Sequence, residues 1–172
     1  AMGCGRVFAQ GAKLVSNAIT SGSMFKADTW KKLVSNVNTK NTTLHFIGLV
    51  SDGNVHSHID HLKAMITEAN KEGVKSVRVH ALLDGRDVDP TSALTYITPL
   101  EEFLASFKDC DYRIASGGGR MYLTMDRYNA DWSMVERGWK AHVLGEGRAF
   151  ASATEAIETY RKEVPGILDQ DM

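Results

Sequence analysis

Leu44-His-Phe-Ile-Gly-Leu-Val50 is a nearly continuous apolar run of strand length that stops at Ser51-Asp-Gly-Asn54. Such a run predicts a strand buried on both faces, as in a parallel sheet covered by helices. Apolar residues then recur at Ile59, Leu62, Met65, Ile66 and Ala69, the spacing of an amphipathic helix, and Gly73 closes it. The next strand, Ser76-Val-Arg-Val-His-Ala-Leu-Leu83, ends in Asp84-Gly-Arg-Asp87. After Pro90-Thr91 comes a second helical stripe, Leu94, Ile97, Leu100, Phe103 and Phe107, with Pro99 inside it at the cost of a kink. Tyr112-Arg-Ile-Ala-Ser116 reads as a shorter third strand. Strand, helix, strand, helix, strand calls for the α/β class: a parallel-type sheet with right-handed crossovers and helices on both faces.

Upstream of this core, residues 1–6 are small and Gly-rich, and Val7, Leu14, Val15, Ala18 and Ile19 predict a helix that Ser21-Gly-Ser23 stops. A second helix is expected over 29–37 with Asp28 as its N-cap, and the polar run 36–43 marks a boundary. Residues 1–40 are therefore expected to form a helical lead-in or interdomain linker, and residues 41–172 an α/β domain incomplete at its C-terminal end. Downstream, Trp132, Val135, Trp139 and Val143 form a stripe expected in a core or an interface. A last helix is expected over 154–164, and the acidic tail Asp169-Gln-Asp-Met172 has no strand after it and is expected to hang free.

With 43% hydrophobic and 24% charged residues and a formal net charge of -1, the chain carries no global field that would recruit nucleic acid or an anionic membrane. No apolar run reaches the length of a membrane span, and nothing resembles a signal peptide. The two cysteines, Cys4 and Cys110, are far apart and make no metal spacing, which suits free thiols in a cytoplasmic location. Any anion binding must then be local. Ala115-Ser-Gly-Gly-Gly-Arg-Met-Tyr-Leu-Thr-Met-Asp-Arg127 is the place for it. Three glycines leave backbone N–H groups free to turn towards a ligand, and Arg120 and Arg127 add planar donor forks suited to carboxylate or phosphate. In an open α/β sheet, ligands lie outside the carboxyl ends of the strands. The clusters at 51–58, 84–87 and 117–127 each follow a strand directly, so parallel topology brings them to one edge.

A second chemistry is written in His56-Ser-His-Ile-Asp-His61, an H-x-H-x-D-H pattern that could hold zinc in a metal-dependent hydrolase. The α/β setting, the Leu62-Lys-Ala64 that follows, and the apolar helical stripe through Asp60 and His61 count against it.

Gly48-Leu-Val-Ser-Asp-Gly-Asn-Val-His-Ser-His58, Leu83-Asp-Gly-Arg-Asp87 and the glycine-arginine stretch up to Arg127 resemble three successive blocks of the cofactor-independent (2,3-bisphosphoglycerate-independent) phosphoglycerate mutases. Gly3-Cys-Gly-Arg-Val-Phe-Ala-Gln-Gly11 and Asp131-Trp-Ser-Met-Val-Glu-Arg-Gly-Trp139 extend the likeness over nearly the whole chain. The resemblance implies a glycolytic isomerase acting on 3-phosphoglycerate and 2-phosphoglycerate. It implies that His56, Arg86, Asp87, Arg120 and Arg127 bind substrate, with Asp87 the candidate general acid/base. It also implies that this chain is the substrate-binding phosphotransferase part of a monomeric enzyme. In that family a separate phosphatase-like domain carries a phosphoryl-accepting serine and two divalent metals, commonly manganese. No Asn-Ser-Glu-Val-Gly-His block and no Asn-Phe-Arg-x-Asp-Arg block stands in these 172 residues. The chain is therefore expected to hold no metal and no 2,3-bisphosphoglycerate, and to be inactive alone.

Overall fold

The three apolar runs become strands β1 (Leu44–Leu49), β2 (Ser76–Leu83) and β3 (Asp111–Gly119), hydrogen-bonded in the order β1-β2-β3 and parallel throughout. The crossovers are helices, numbered here in chain order as α4 (Ile59–Lys71) and α5 (Ala93–Ala105). The computed structural model describes residue 5, residues 11–126 and residues 128–172. Ahead of the sheet lie α1 (Gly11–Thr20), α2 (Ser23–Lys26) and α3 (Asp28–Lys40); after it come α6 (Trp132–Trp139), a π-helical turn over Lys140–Leu144, α7 (Ala153–Glu163) and a 3-10 turn at Asp169–Asp171.

Strand alternation sorts the sheet into two unlike faces. Val77, Val79, Ala81 and Leu83 of β2 meet Trp30, Val34 and Val37 of α3, Ile66 of α4, Ile97 and Leu100 of α5, and Ile157 of α7 in the main core. Ile66, Ile97 and Leu100 are fully enclosed, each worth about 1.5–3 kcal/mol relative to exposure. On the other face Leu49 and Leu82 pack with Leu123 in a small cluster. That face is covered less than the apolar run of β1 implied: Ile47 is 57% exposed and His45 is exposed, because β1 is an edge strand with a core on one side only. In place of apolar packing, this face carries a hydrogen-bonded row. His45 Nδ1 lies 2.9 Å from His80 Nε2, His80 Nδ1 lies 2.6 Å from Ser116 Oγ, Ser116 Oγ lies 2.7 Å from His142 Nδ1, and His142 Nε2 lies 2.9 Å from Thr124 Oγ1.

Several expectations change. Asp28 is the first residue of α3, not its cap; Ala27 occupies that position without a side-chain bond, and the helix runs on through Asn36 to Lys40 because Trp30, Val34 and Val37 anchor it to the core. The third strand is not short. It includes all three glycines, whose backbones pair with Ala81, Leu82 and Leu83 of β2, so they form strand rather than an anion nest. A Cβ on Gly117 would sit 2.6 Å from the Ala81 carbonyl oxygen, and one on Gly119 only 2.2 Å from that of Gln170. Close backbone approach, not a left-handed turn, is what asks for glycine here. Trp132 and Trp139 are 65% and 59% exposed, and α6 buries Met134 and Gly138 instead. The acidic tail docks. Asp169 is fully buried, accepts from the Ala93 N–H at the start of α5 at 2.7 Å and from Arg161 Nη2 at 2.7 Å, and the Met172 carbonyl accepts from Gly119 N.

Candidate functional site

Leu49, Leu83 and Gly119 end the three parallel strands on the same edge, and the polar clusters after them meet there. Asp84 is the first residue beyond β2 and is buried. Its Oδ1 accepts from the backbone N–H of Arg86 at 3.3 Å and of Asp87 at 3.1 Å, while its Oδ2 accepts from Ser51 Oγ, just beyond β1, at 2.6 Å. Gly85 supplies the positive φ (+63°) that this tight turn needs. Arg120, the residue after β3, is buried too, and its Nη1 donates to Asp84 Oδ1 at 2.7 Å and to Asp87 Oδ2 at 2.6 Å. Asp87 is more open, with His56 Nε2 3.9 Å from its Oδ2. Gly53 lies against both aspartates; a Cβ there would come within 2.9 Å of Asp87 Cβ.

The electrostatics follow from this arrangement. Burial by itself raises the Asp84 carboxyl, but hydrogen bonds from Ser51, the Asp87 N–H, Arg120 and the Arg86 N–H outweigh it and hold the group below the ordinary aspartate value. Burial lowers Arg120, and bonds to Asp87 and Asp84 more than restore it. Both groups therefore stay charged at neutral pH.

Of the residues singled out from sequence, His56, Arg86, Asp87 and Arg120 come together. Arg86 is exposed and its Nη1 lies 3.6 Å from Met121 Sδ. Asp87 pairs with Arg120 rather than with its neighbour Arg86. Arg127 lies outside the described residues, as does Cys4. Asp84 and Ser51 were not singled out. An aspartate directly after an apolar strand and followed by glycine signals a turn closed by its own carboxylate, and that signal was there to be read.

The H-x-H-x-D-H pattern is divided among separate partners. His56 faces Asp87; His58 caps α4, its Nδ1 accepting from Asp60 N at 3.1 Å; His61 Nε2 lies 2.8 Å from Ser16 Oγ. Among the described residues no group of three or more His, Cys, Asp or Glu side chains is arranged to hold a metal ion. No helix among them is long and apolar enough to cross a membrane. A cavity of about 600 Å³ lies between β3, α5, α7 and the loop before α7, lined by Leu104, Tyr112, Phe150 and Tyr160 among others, and none of the four gathered residues lines it.

The chain matches the family model described as BPG-independent PGAM N-terminus over residues 15–172. It is 61% identical over 171 residues to a probable 2,3-bisphosphoglycerate-independent phosphoglycerate mutase of Leptospira interrogans, covering 98% of this chain and 31% of that protein. It is 51% identical over 172 residues to the 2,3-bisphosphoglycerate-independent phosphoglycerate mutase of Trypanosoma brucei brucei, again covering 31% of it. A crystal structure of Leishmania mexicana phosphoglycerate mutase at low cobalt concentration superposes with a TM-score of 0.93 at 51% identity, over 96% of this chain and 31% of that one. The chain thus spans about a third of the length of these relatives.

Proposed function

Because the chain belongs to the BPG-independent phosphoglycerate mutase family, matching its N-terminal model over residues 15–172, we propose that it is the substrate-holding part of a glycolytic isomerase. The enzyme interconverts 3-phosphoglycerate and 2-phosphoglycerate without 2,3-bisphosphoglycerate. Phosphoryl transfer is catalysed mainly by positioning and by stabilising charge. In this reading Arg86, Arg120 and Arg127 take up the carboxylate and phosphate of the ligand, and His56 contacts it. Asp87 exchanges a proton with the glycerate hydroxyl as general acid/base. The phosphoryl-accepting serine and two divalent metals, manganese by family resemblance, belong to a phosphatase-like partner domain, with residues 1–40 as the link to it. The whole enzyme is a cytoplasmic monomer.

The observation that carries this reading is the strand-end cluster, where His56 and Asp87 approach to 3.9 Å and Arg120 bonds Asp87 at 2.6 Å. These 172 residues contain no Asn-Ser-Glu-Val-Gly-His block, so by themselves they bind ligand without turning it over. Titration of the ¹⁵N-labelled chain with 3-phosphoglycerate tests the reading. Amide shifts concentrated at 51–58, 84–87 and 117–127, and lost in Arg120→Ala, are the expected result. Shifts elsewhere, or none, would sink it, and turnover by the chain in a coupled mutase assay would refute the division of labour.

A further inference from the structure

One carboxylate ties together the three strand ends without being any of the groups assigned to the ligand. Asp84 Oδ2 receives Ser51 from the end of β1, and Asp84 Oδ1 receives the two N–H groups of its own turn and Arg120 from the end of β3. Two of those donors are the backbones of Arg86 and Asp87. Another, Arg120 Nη1, is shared with the Asp87 carboxylate. Where Asp84 sits therefore decides where Asp87 and Arg120 sit.

We propose that Asp84, anchored by Ser51, is the positioning residue of this site: it holds Arg120 and the 84–87 turn so that Asp87 Oδ2 faces His56. The assignment rests on the phosphoglycerate reading above for its ligand, though not for its geometry. The chemistry of the sharing is specific. A guanidinium nitrogen bridging two carboxylates forms short charge-assisted bonds to both, and the deeper carboxylate is fixed by more donors than the outer one. Asp87 is therefore the member whose bond to Arg120 can be exchanged when a hydroxyl or an anion arrives, while Asp84 keeps the arginine in register. Ser51 acts one step further back, since its hydroxyl is what fixes the Asp84 Oδ2 edge.

Three substitutions separate this role from simple support of the fold. Asp84→Asn keeps acceptors for Arg120 and the turn but removes the charge, Asp84→Ala removes both, and Ser51→Ala removes only the anchor. Two readouts apply to the whole chain. One, without ligand, is the Arg120 side-chain N–H signals and the Asp87 amide signal in ¹H–¹⁵N spectra; the other is the Kd for 3-phosphoglycerate. Expected are displaced and broadened Arg120 and Asp87 signals in all three variants. Ligand affinity should fall about tenfold or more in Asp84→Ala, the scale seen when a buried charge loses its hydrogen-bonded partner, and less in Asp84→Asn and Ser51→Ala. If Asp84→Ala does not fold, Ser51→Ala carries the test, because it removes a single hydroxyl. Unchanged Arg120 and Asp87 signals in the folded variants overturn the proposal, as does affinity within twofold of the parent chain. If the parent chain binds no 3-phosphoglycerate, the functional reading fails, and the ligand-free signals alone decide the positioning role.

Discussion

The same three strands carry two polar networks built on opposite principles. At their C-terminal edge Ser51, Asp84, Arg120 and Asp87 join formal charges of both signs. On the less covered face His45, His80, Ser116, His142 and Thr124 form a hydrogen-bonded row in which burial favours the neutral form of two imidazoles: His80 is pushed down to about 4, by burial first and then by His142 and His45, and burial also lowers His142. The charged network is held by attraction between unlike partners, so losing the one cation leaves two carboxylates behind without it. The neutral one is held by matched donors and acceptors, so adding a proton is what harms it.

Removing the cation is the strongest way to press that difference. Arg120→Ala leaves Asp84 and Asp87 facing each other, and chemical denaturation should report a loss of about 3–5 kcal/mol, the range for breaking a buried pair from one side. A loss below 1 kcal/mol would mean that the two carboxylates relax into water without the arginine.

Acid separates the networks by pH. The folded-state pKa of His80 is depressed from 6.5 to about 4, so as pH falls the unfolded chain takes up the proton first. Stability from this group is complete above pH 6.5 and is lost as pH drops towards 4, by about 3 kcal/mol in all. Asp84, also depressed, behaves as an acid: its contribution is complete above the ordinary aspartate pKa of 3.8 and disappears only below it. Urea unfolding between pH 7 and 4.5 should therefore show a slope that His80→Phe flattens and Asp84→Asn leaves in place.

A smaller effect is expected where α6 crosses the histidine row. A Cβ at Gly138 would lie 2.3 Å from Thr124 Oγ1 and 2.9 Å from Thr124 Cα. Gly138→Ala should cost about 1–3 kcal/mol by overpacking, with the ring resonances of His142 displaced and the Arg120 signals untouched. Smallest of all is Trp139→Ala. This exposed side chain should change stability by no more than about 0.5 kcal/mol, and a larger drop in Tm would restore it to a packed role.

The charged edge was legible because parallel topology sends every strand end to one side, so Ser51, Asp84 and Gly119 had to meet once 44–50, 76–83 and 112–116 were read as strands. The histidine row was not legible. Its members meet only through register: Ile47 lies opposite His80, and a shift between Val79 and His80 brings Ser116 rather than Ala115 opposite that histidine. Hydrophobic pattern does not fix a bulge of one residue. The glycines misled for a related reason, since a sequence does not distinguish a glycine that must turn from one that must let a neighbour pass. Trp132 and Trp139 have helical spacing, but periodicity alone does not say which side of the helix faces the sheet.

The histidine row also couples the tautomers of its rings. If Thr124 donates to a neutral His142 at Nε2, then His142 Nδ1–H donates to Ser116, and where Ser116 passes its own proton to His80 Nδ1, His80 Nε2–H donates to His45 Nδ1. Running every bond backwards also satisfies the row with neutral rings, and so does a third arrangement in which Ser116 accepts from both His80 Nδ1–H and His142 Nδ1–H. The tautomers of His80 and His142 are thus coupled through one hydroxyl: Ser116 has a single proton to donate, so at least one of the two rings carries its proton on Nδ1. The ¹⁵N shifts of the two rings read which of the three arrangements the molecule holds.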